Sequence, residues 1–539
     1  MSFFTRIFIV NNIKLPINAS FEEAFSVSKD KLRSLGIKSV DLSFSIFKKS
    51  IDARDKNNIL FVYSVAVSGN LPDIPEEKLS KFGISVHEPI SLKIDEYGDK
   101  VAEPPLVVGS GPAGLFAALI LAENGYNPIL IERGGSVEER KKLVERFNLF
   151  GILDPETNIQ FGAGGAGTFS DGKLVTRIND PLSSYVFKSL VRFGAPEEIL
   201  YLARPHVGTD VLSAVIDNII GEIERLGGTV RYHTKFLRAE EKDGRRVALT
   251  NSGEIPFGAL ILAVGHSARD TYRSLIKEGY TLEGKPFSVG MRIEHKAIDI
   301  DKSMYGSNAG NPLLGHAEYN LSYNTKERGV YTFCMCPGGE VVAAASETGH
   351  VVVNGMSKHA RDGENSNSAV VCSIFREDYG ASPTKAIEFQ ENIERLAFKS
   401  GGDDYSAPII TVGDFLSDKC VSEPTYVLPT YMDGKRTRLA RPEEFLPKVA
   451  TDSIKNALLN FDRKIKGFAS QNALLTGAET RTSAPVRILR DPDTRLALGS
   501  KYVYPAGEGA GYAGGITSAA IDGIKTAIAV IKNYKPQSR

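Results

Sequence analysis

Three glycines early in the second hundred residues have the spacing of a phosphate-binding turn. Gly109, Gly111 and Gly114 form G-x-G-x-x-G directly after the apolar run LVV, and an apolar helical pattern follows them. Such glycines permit a tight turn and let a pyrophosphate approach the helix start, where free N–H groups and a partial positive charge bind phosphate. Glu132, at the end of the next apolar run, can accept the ribose hydroxyls of an adenosine. We therefore predict a dinucleotide site formed by Gly109, Gly111, Pro112, Ala113, Gly114, Glu132 and Arg133.

A second glycine-rich turn lies late in the chain, in YVYPAGEGAGYAGGITSAA. The pattern predicts a strand over 502–505, a turn, and a long helix that begins near Gly515. Glu508 is placed to bind a ribityl chain, and the helix start would direct N–H groups at the flavin edge that becomes anionic on reduction. An ordinary strand-to-helix turn that closes the sheet is the alternative. Together the two turns predict non-covalently bound FAD, with Gly507, Glu508, Gly514, Gly515 and Ile516 among its ligands.

Basic and polar residues gather just before that second turn. The segment TGAETRTSAPVRI (476–488) contains Glu479, Arg481 and Arg487. A fork of two arginines beside a cofactor would suit a carboxylate or phosphate substrate, and an interdomain salt bridge is the alternative. We take Arg481 as a catalytic candidate.

Histidines are the side chains whose charge changes most readily near neutral pH, so they are candidates for proton transfer. Three of them lie in motif-like segments, namely His206, His266 and His359, and each could instead be a hydrogen-bonded structural residue. Of the three, we take His266 as a catalytic candidate.

The order of predicted elements indicates how the two glycine turns could meet. From Leu106 to about Arg269 strands and helices alternate, which is typical of a parallel α/β sheet. A β-rich stretch follows, with helices predicted near 384–399 and 448–465, and α/β character returns from about 474. We predict a discontinuous Rossmann-like nucleotide domain (104–275 and 474–539) with an inserted α+β substrate or cap domain (276–473).

The first 100 residues are predicted to form a separate α+β module. Strands are indicated over 5–10, 40–47 and 58–67, and a helix opens with the Ser20–Glu23 capping box and ends at Gly36. This β-α-β-β order suggests a ferredoxin-like arrangement. The basic residues of KKSIDARDK, between the last two strands, are predicted to lie in a turn as solvent-facing surface or as a contact for an anion or partner: Lys48, Lys49, Arg54 and Lys56.

Composition narrows the class of protein. The 539 residues carry 65 Lys and Arg against 65 Asp and Glu, and this zero formal charge argues against nucleic acid as the main partner. No apolar run approaches the roughly 20 residues of a membrane helix, and the first residues lack the pattern of a secretion signal. Four cysteines in so long a chain suggest a reducing compartment. We expect a cytoplasmic protein that acts on a small-molecule substrate.

The motifs together resemble a known group of proteins. The two glycine turns and ALILAVGHSARDT (259–271) resemble the glutathione-reductase-like superfamily of FAD enzymes. More narrowly, the chain is similar to the bacterial family of FAD-dependent, NAD(FAD)-utilising dehydrogenases of unassigned substrate. The matching segments span nearly the whole chain: FGAGGAGTFSDGKL (161–174), RPHVGTD (204–210), FCMCPGGEVVAAASE (333–347), NGMSKHARDGENSNSA (354–369) and TGAETRTSAPVRI. The resemblance implies FAD and a nucleotide domain of the glutathione-reductase type, and it implies no substrate.

The resemblance also assigns two further backbone segments to the cofactor. Gly265, at the end of the 259–265 strand, would pass near it, and the glycines of 161–174 would lie along its pyrophosphate and ring. Lys173, which we also take as a catalytic candidate, would then stand near the flavin, where a positive charge favours the reduced form; a tight loop with surface charges is the alternative. These further predicted cofactor ligands are Gly164, Gly165, Ala166, Gly167 and Gly265.

Cys334 and Cys336 suggest a redox dithiol, but flavin enzymes of this superfamily that use one usually place C-x4-C or C-x2-C beside the flavin. We therefore expect buried structural thiols. The C-x-C spacing also lacks the second half of a zinc site, so we predict no metal.

Two functional hypotheses follow. The first is an oxidoreductase in which hydride passes through flavin N5 between a donor and a small substrate, for which the arginines suggest an anion. No second G-x-G-x-x-G with a strand and a helix is visible, so NAD(P)H would dock transiently or the substrate itself would be the reductant. The alternative is a flavin-containing RNA-modification or macromolecule-binding factor recruited through the N-terminal module. Zero net charge and the absence of an aromatic–basic pattern argue against it.

Overall fold

The N-terminal module is built on strands along which buried and more exposed residues alternate. The computed structural model describes residues 6–536 except 39, 89–91, 93, 95, 96, 101, 102, 177, 179, 418 and 419. The module comprises β1 (Ile7–Pro16), α1 (Phe21–Ser34), β2 (Leu42–Asp52), β3 (Leu60–Gly69), α2 (Glu76–Ser80) and β4 (Ile84–His87). The strands form one antiparallel sheet in the order β2-β3-β1-β4. Helix α1 begins with the predicted Ser20–Glu23 capping box. The first strand runs six residues beyond the predicted end at Val10, and Thr5 lies outside the described residues.

The prediction that Lys48 and Lys49 lie in a turn is wrong, because β2 continues through both residues to Asp52. A bulge between Ile46 and Lys48 lets the strand extend, and the Lys49 ammonium lies 4.0 Å from the centroid of the Phe61 ring. Backbone N–H of Lys49 donates to the carbonyl of Tyr201 at 2.7 Å. This part of the β2 edge is therefore covered by the segment around Tyr201.

Five short parallel strands form the second sheet. The elements of this part are β5 (Asp99–Lys100), β6 (Leu106–Val108), α3 (Pro112–Glu123), β7 (Ile129–Ile131), α4 (Val137–Phe150), α5 (Leu182–Arg192), α6 (Thr209–Arg225), β8 (Thr229–Arg231), β9 (Phe236–Lys242), β10 (Arg245–Thr250), β11 (Gly253–Pro256), β12 (Leu260–Leu262), α7 (Arg269–Lys277), β24 (Val503–Pro505), α13 (Ile516–Asn533) and β25 (Tyr534–Lys535). The strand order is β24-β12-β6-β7-β8. The central residues are buried on both faces, as expected for a parallel sheet covered by helices. Because β24 comes from the far end of the chain, the sheet is discontinuous, as the returning α/β pattern predicted.

Helices α3 and α13 pack against each other on one face of this sheet. All ten residues from Ala113 to Ala122 are buried, because α3 is apolar all round and lies between the sheet and α13. A Cβ on Gly523 would lie 2.0 Å from the carbonyl oxygen of Ala113, so the close approach of the two helices requires a glycine there.

The inserted part is built on a seven-stranded sheet. Its elements are β13 (Leu282–Gly284), β14 (Phe287–Lys296), α8 (Ala297–Tyr305), β15 (Ser322–Asn324), β16 (Gly329–Cys336), β17 (Glu340–Ala343), β18 (Val353–Met356), β19 (Asn365–Ile374), α9 (Arg376–Tyr379), α10 (Pro383–Ser400), β20 (Ala407–Thr411), α11 (Val412–Ser417), β21 (Thr437–Leu439), α12 (Lys448–Lys464), β22 (Leu474–Glu479) and β23 (Val486–Ile488). The strand order of the large sheet is β15-β16-β19-β14-β22-β20-β21. Helix α12 covers this sheet with Ile454, Ala457, Leu458 and Phe461.

The chain does not change sheet at residue 474, where we predicted the return to the nucleotide domain. Strand β22 pairs with β14 and β20 and therefore belongs to the inserted sheet. An apolar strand has the same pattern in either sheet, so its sequence did not indicate its neighbours.

No helix within the described ranges combines the length and the apolar character needed to cross a membrane.

A fully buried arginine on α4 holds the glycine-rich 161–174 segment in place. Arg140 shares the buried face of α4 with Val137, Val144 and Phe147. Its guanidinium donates to the carbonyls of Asn158 (3.0 Å), Ile159 (3.0 Å), Gly162 (3.3 Å) and Gly165 (3.1 Å), and to Oγ1 of Thr168 (3.0 Å). Burial lowers the Arg140 pKa to about 10, so the group is still charged at neutral pH.

Replacing this guanidinium should destabilise the protein. Arg140→Lys supplies three donors in place of five and leaves buried carbonyls without a partner. We expect it to lower the free energy of unfolding by about 3 kcal/mol in chemical denaturation. Arg146→Lys, at an exposed position of the same helix, should change it by less than about 0.5 kcal/mol. Equal effects of the two substitutions would contradict the role given to Arg140.

Candidate functional site

A cavity of about 320 Å³ lies where the carboxyl ends of the parallel strands face the inserted sheet. Both predicted glycine turns and the 161–174 segment border it. All three catalytic candidates also line it, together with most of the predicted cofactor ligands: Lys173, His266, Arg481, Gly109, Gly111, Pro112, Ala113, Glu132, Arg133, Gly165, Ala166, Gly167, Gly265, Glu508, Gly514, Gly515 and Ile516.

Three predicted ligands stand behind the cavity wall instead of lining it: Gly114, Gly164 and Gly507. A Cβ on Gly114 would lie 1.8 Å from the Gly109 carbonyl oxygen, and one on Gly507 would lie 2.6 Å from Cβ of Ala113. These two glycines therefore let the first turn and α3 pack closely.

Two helix N-termini face the cavity without a side-chain cap. Helix α3 starts after Gly111 and α13 after Gly515, and neither N-cap residue offers a side-chain hydrogen bond. A Cβ on Gly111 would meet no atom nearer than 3.9 Å, and one on Gly515 none within 4 Å. The backbone at both helix starts is thus open to a ligand, and a negatively charged group would be favoured there.

Glu132 was predicted as a ribose ligand, and its carboxylate is engaged within the protein. One oxygen accepts from N–H (3.0 Å) and Oγ (2.7 Å) of Ser110, and the other accepts from N–H of Gly134 (3.0 Å) and Gly162 (2.9 Å). Four hydrogen bonds fill the capacity of a carboxylate. Glu132 therefore ties the first glycine turn to the 161–174 segment, and contact with a ribose remains a prediction.

Arg133 lies at the edge of the cavity in an ion-pair cluster. Its Nε is 2.6 Å from the carboxylate of Glu156 and its Nη2 is 3.0 Å from that of Asp270. Its guanidinium also covers the Phe161 ring at 4.0 Å from the centroid. Lys235 binds the same two carboxylates at 2.9 and 2.7 Å. Both cations of this edge are therefore already paired.

The carboxyl group of Glu508 faces the cavity and makes no hydrogen bond with a described residue. Burial away from bulk water raises its pKa to about 7, and the charge of Lys285 opposes this shift. A carboxyl that faces a cavity away from bulk water and has no protein partner is destabilised in its charged form, so the site favours a ligand that donates hydrogen bonds to it. The hydroxyls of a ribityl chain fit this requirement.

His266 lines the cavity and is neutral at physiological pH. Burial lowers its pKa to about 3, with further lowering by Arg481 and Arg269. Its Nδ1 lies 2.9 Å from Oγ of Ser267, which donates to Oε1 of Gln160 at 3.1 Å. Because the hydroxyl proton points to Gln160, Nδ1–H of His266 donates to Ser267, and Nε2 is left as an acceptor.

The other two histidines form a separate pair. His206 and His359 stack at 5.4 Å between ring centroids, and Nε2 of His206 is 3.1 Å from the carbonyl oxygen of His359. Burial lowers the pKa of His206. Neither residue lines the cavity, so the structure brings one of the three histidines to the site.

Arg481 lines the cavity but its guanidinium is held by buried acids. Its Nη2 lies 3.0 Å from Glu394, which also binds Arg269 at 2.7 Å. Glu347 joins the same cluster. Burial works to raise the pKa of Glu394, but the two arginines lower it overall. The contacts of Arg481 are therefore those of a salt bridge, which was the alternative to a substrate-binding role.

The expected fork of two arginines does not form, because Arg487 points away from the cavity. Its Nη1 lies 3.5 Å from Glu283 and its guanidinium covers Tyr512 at 5.4 Å. Glu347, Glu394 and His350 are close enough to hold a metal ion, but Arg269 and Arg481 already neutralise both carboxylates.

The inserted part contributes one wall of the cavity, through Phe333, Cys334 and Glu479 of the seven-stranded sheet and Asn354 of the β17–β18 pair. Sequence reasoning missed the residue beneath this wall, Arg292, whose Nε donates to Glu479 at 2.9 Å. It lies in the middle of the fully buried run of β14, and a charged residue in such a run needs a buried partner. That signal was present in FSVGMRIEHK.

Lys173 is the least tightly paired cation of the cavity. Its Nζ is 3.8 Å from Oδ2 of Asp171, and Asp171 is mainly held by Arg361 at 2.6 Å. The uncapped helix starts, the free carboxyl of Glu508 and this cation together define an α/β protein that binds a nucleotide cofactor.

Comparison with known proteins identifies the cofactor. Residues 286–482 match the family "FAD-dependent protein, C-terminal domain-like", and residues 9–68 match a domain of unknown function (DUF8436). An "Uncharacterized protein" of Clostridium beijerinckii (strain ATCC 51743 / NCIMB 8052) is 46% identical over 532 residues, 97% of this chain and 98% of that protein. This chain belongs to the same family as the clostridial protein, and it is an FAD-dependent protein.

Solved structures show weaker similarity. The structure of CtdE in complex with FAD and substrate 4 is 11% identical, with 79% of this chain and 80% of that chain covered and a TM-score of 0.34. Native FqzB is 11% identical, with 81% and 77% covered and a TM-score of 0.35. These scores establish no shared overall arrangement.

A side chain on Gly111 should prevent FAD binding without harming the fold. Gly111→Val places two methyl groups in the open space at the start of α3, where a phosphate would lie. We expect FAD affinity, measured by fluorescence titration of apoprotein, to fall at least about 100-fold, or roughly 2.7 kcal/mol. Gly221→Val is a matched control, since a Cβ there meets no atom within 4 Å and one on Gly111 none nearer than 3.9 Å, and Gly221 does not line the cavity. Full FAD retention by Gly111→Val would contradict this placement.

The buried Glu508 carboxyl should make apoprotein stability depend on pH. Its pKa of about 7 exceeds the unfolded value of 4.5, so the folded state holds a proton that the unfolded state loses, and stability falls as pH rises through this window. We expect Glu508→Gln to be more stable than the parent by about 2 kcal/mol at pH 8. The difference should be absent at pH 4. Urea titrations at the two pH values measure it, and a pH-independent difference would contradict the assignment.

Proposed function

We propose that the protein is an FAD-dependent oxidoreductase whose reaction takes place in this cavity. One observation carries the proposal: the FAD-dependent domain match at 286–482 supplies the wall that faces both glycine turns across a single cavity. Bound FAD supplies hydride transfer at its N5. The protein side chains that border this wall are polar or charged: Lys173, His266, Glu479 and Arg481.

The chain would hold the cofactor at its two ends. The uncapped start of α3 would bind the pyrophosphate, and Glu508 would accept ribityl hydroxyls. The start of α13 and the Lys173 ammonium would place positive potential beside the ring, which favours the anionic reduced form. His266, neutral and with Nε2 free to accept, would receive a hydrogen bond from the ring or the substrate.

We infer that the nucleotide part is a discontinuous Rossmann domain of the glutathione-reductase type. Numbered along the chain, its five strands lie in the order 3-2-1-4-5, the order of a dinucleotide-binding sheet. The N-terminal module supports a ferredoxin-like assignment through its β-α-β-β-α-β order.

The substrate would be small and anionic, and Lys173 is the group that supports this. The other cations that line the cavity are engaged at shorter distances, Arg481 with Glu394 and both Arg133 and Lys235 with Asp270. Lys173 therefore has the most capacity to bind a further anion. NAD(P)H would dock transiently over the flavin, because both glycine turns of the cavity are already assigned to FAD.

Anaerobic stopped-flow mixing tests the reductase proposal. We expect NADH or NADPH to bleach the visible absorption of the oxidised holoprotein. Lys173→Met should slow this reduction roughly tenfold, equivalent to about 1.4 kcal/mol in the barrier, while Lys277→Met, at an exposed position of α7, should leave it unchanged. If neither nucleotide reduces the flavin, the reductase version fails and an organic reductant must be sought.

A further inference from the structure

Two thiols meet at the wall that the inserted sheet gives to the cavity. Cys334 is partly exposed and lines the cavity, while Cys336 is buried directly behind it. Sγ of Cys336 donates to the carbonyl oxygen of Cys334 at 3.4 Å, and the two side chains are close enough for each to shift the pKa of the other. A front thiol open to a ligand and a back thiol within reach of it is the arrangement that thiol–disulfide exchange needs.

The backbone is distorted at this point. The pairing of β16 with β19 is regular to Phe333 and resumes only at Cys336, and Cys334 has φ 45°. A non-glycine residue in the left-handed region is strained and persists where its surroundings enforce it. Here the distortion accompanies the opening of Cys334 to the cavity.

A buried guanidinium stabilises negative charge on these sulfur atoms. Nη1 of Arg292 is 3.9 Å from Sγ of Cys336 and donates to the carbonyl of Cys334 at 3.0 Å. Its Nη2 donates to Asn354 at 3.1 Å and its Nε is paired with Glu479. A Cβ on Gly355 would lie 1.9 Å from Nη1, so the guanidinium is confined beside the thiol pair.

The surroundings of the pair shift the pKa values of the two thiols in opposite directions. The hydrogen bond from Cys336 lowers the pKa of Cys334, and Arg292 and Lys173 lower it further against burial and the charge of Asp171. The same hydrogen bond and burial raise the pKa of Cys336. Cys334 lines the cavity and has the lowered pKa, so it is the thiol that meets an entering disulfide, and the thiolate is the reactive form.

We propose that Cys334 and Cys336 are a redox-active pair that reacts with a disulfide entering the cavity. The Cys334 thiolate attacks one sulfur of the disulfide, forms a mixed disulfide and releases one thiolate. The Cys336 thiol then loses its proton and attacks Sγ of Cys334, which releases the second thiolate and closes a Cys334–Cys336 disulfide. The protein is oxidised by two electrons, and one external disulfide is reduced to two thiols.

This proposal differs from our expectation of two buried structural thiols and goes beyond the flavin chemistry; Cys334 is partly exposed and Cys336 is buried. Its atoms are the chain's own sulfur atoms, so reduction by NAD(P)H can be present or absent independently of it. The chain also provides internal controls: Cys372 is buried in β19, where burial raises its pKa, and Cys420 is exposed.

Redox titration of the holoprotein with glutathione disulfide tests the proposal. After acid quench, alkylation and trypsin digestion, Cys334 and Cys336 lie together in peptide 329–358, Cys372 in 362–376 and Cys420 in 420–435. We expect peptide 329–358 to lose two hydrogens and resist alkylation, with oxidation about tenfold more extensive than at Cys420. Alkylation of both thiols in 329–358 while Cys420 is oxidised would overturn the proposal.

Two variants test the order of attack. In Cys336→Ser, glutathione should remain trapped on Cys334, because no second thiol can displace it. In Cys334→Ser, Cys336 should stay fully alkylatable. Both proteins should keep the visible flavin spectrum, which shows that the cavity has folded. Glutathione trapped on Cys336 in Cys334→Ser, or none on Cys334 in Cys336→Ser, would overturn the assignment.

Discussion

The cavity depends on two buried charges that are satisfied by backbone atoms of the same loop. The guanidinium of Arg140 donates hydrogen bonds to carbonyl groups of residues 158–165. The carboxylate of Glu132 accepts hydrogen bonds from the N–H of Gly162 and from that of Ser110 in the first glycine turn. A loop rich in glycine has little side-chain packing to hold it and a large conformational entropy to lose. The two ionic groups supply the missing fixed points, so the glycine backbone can face a ligand on its other side.

A second set of buried charges sets the inserted sheet against the nucleotide sheet. Arg269 begins α7, Glu394 lies in α10, and Arg481 follows β22. Their side chains bind one another with almost no exposure to water. The cost of removing these charges from water offsets much of the attraction between them, but removing one member would leave an uncompensated buried charge. The cluster therefore contributes mainly by fixing the two walls of the cavity in one position relative to each other.

Periodicity and glycine spacing predicted the parts of the fold that local sequence determines. The helix predicted near 384–399 is Pro383–Ser400, and the one near 448–465 is Lys448–Lys464. The strands that pair with β22 could not be predicted from the sequence, because the pattern of an apolar strand does not identify its neighbours. Arg140 could have been found: in VEERKKLVERF it falls on the face of Val137, Val144 and Phe147, where a charged residue is out of place. The hydrogen bonds of Glu132 and the ion pairs of Arg481 could not be predicted, because they involve segments that are distant in sequence.

The dependence of α3 on α13 has a consequence for synthesis on the ribosome. Helix α3 is apolar on every side, and the helix and strand that complete its surroundings, α13 and β24, come far later in the chain. Until those segments have been synthesised, the side of α3 that packs on α13 stays exposed, and exposed apolar surface of this kind makes a folding intermediate prone to aggregation.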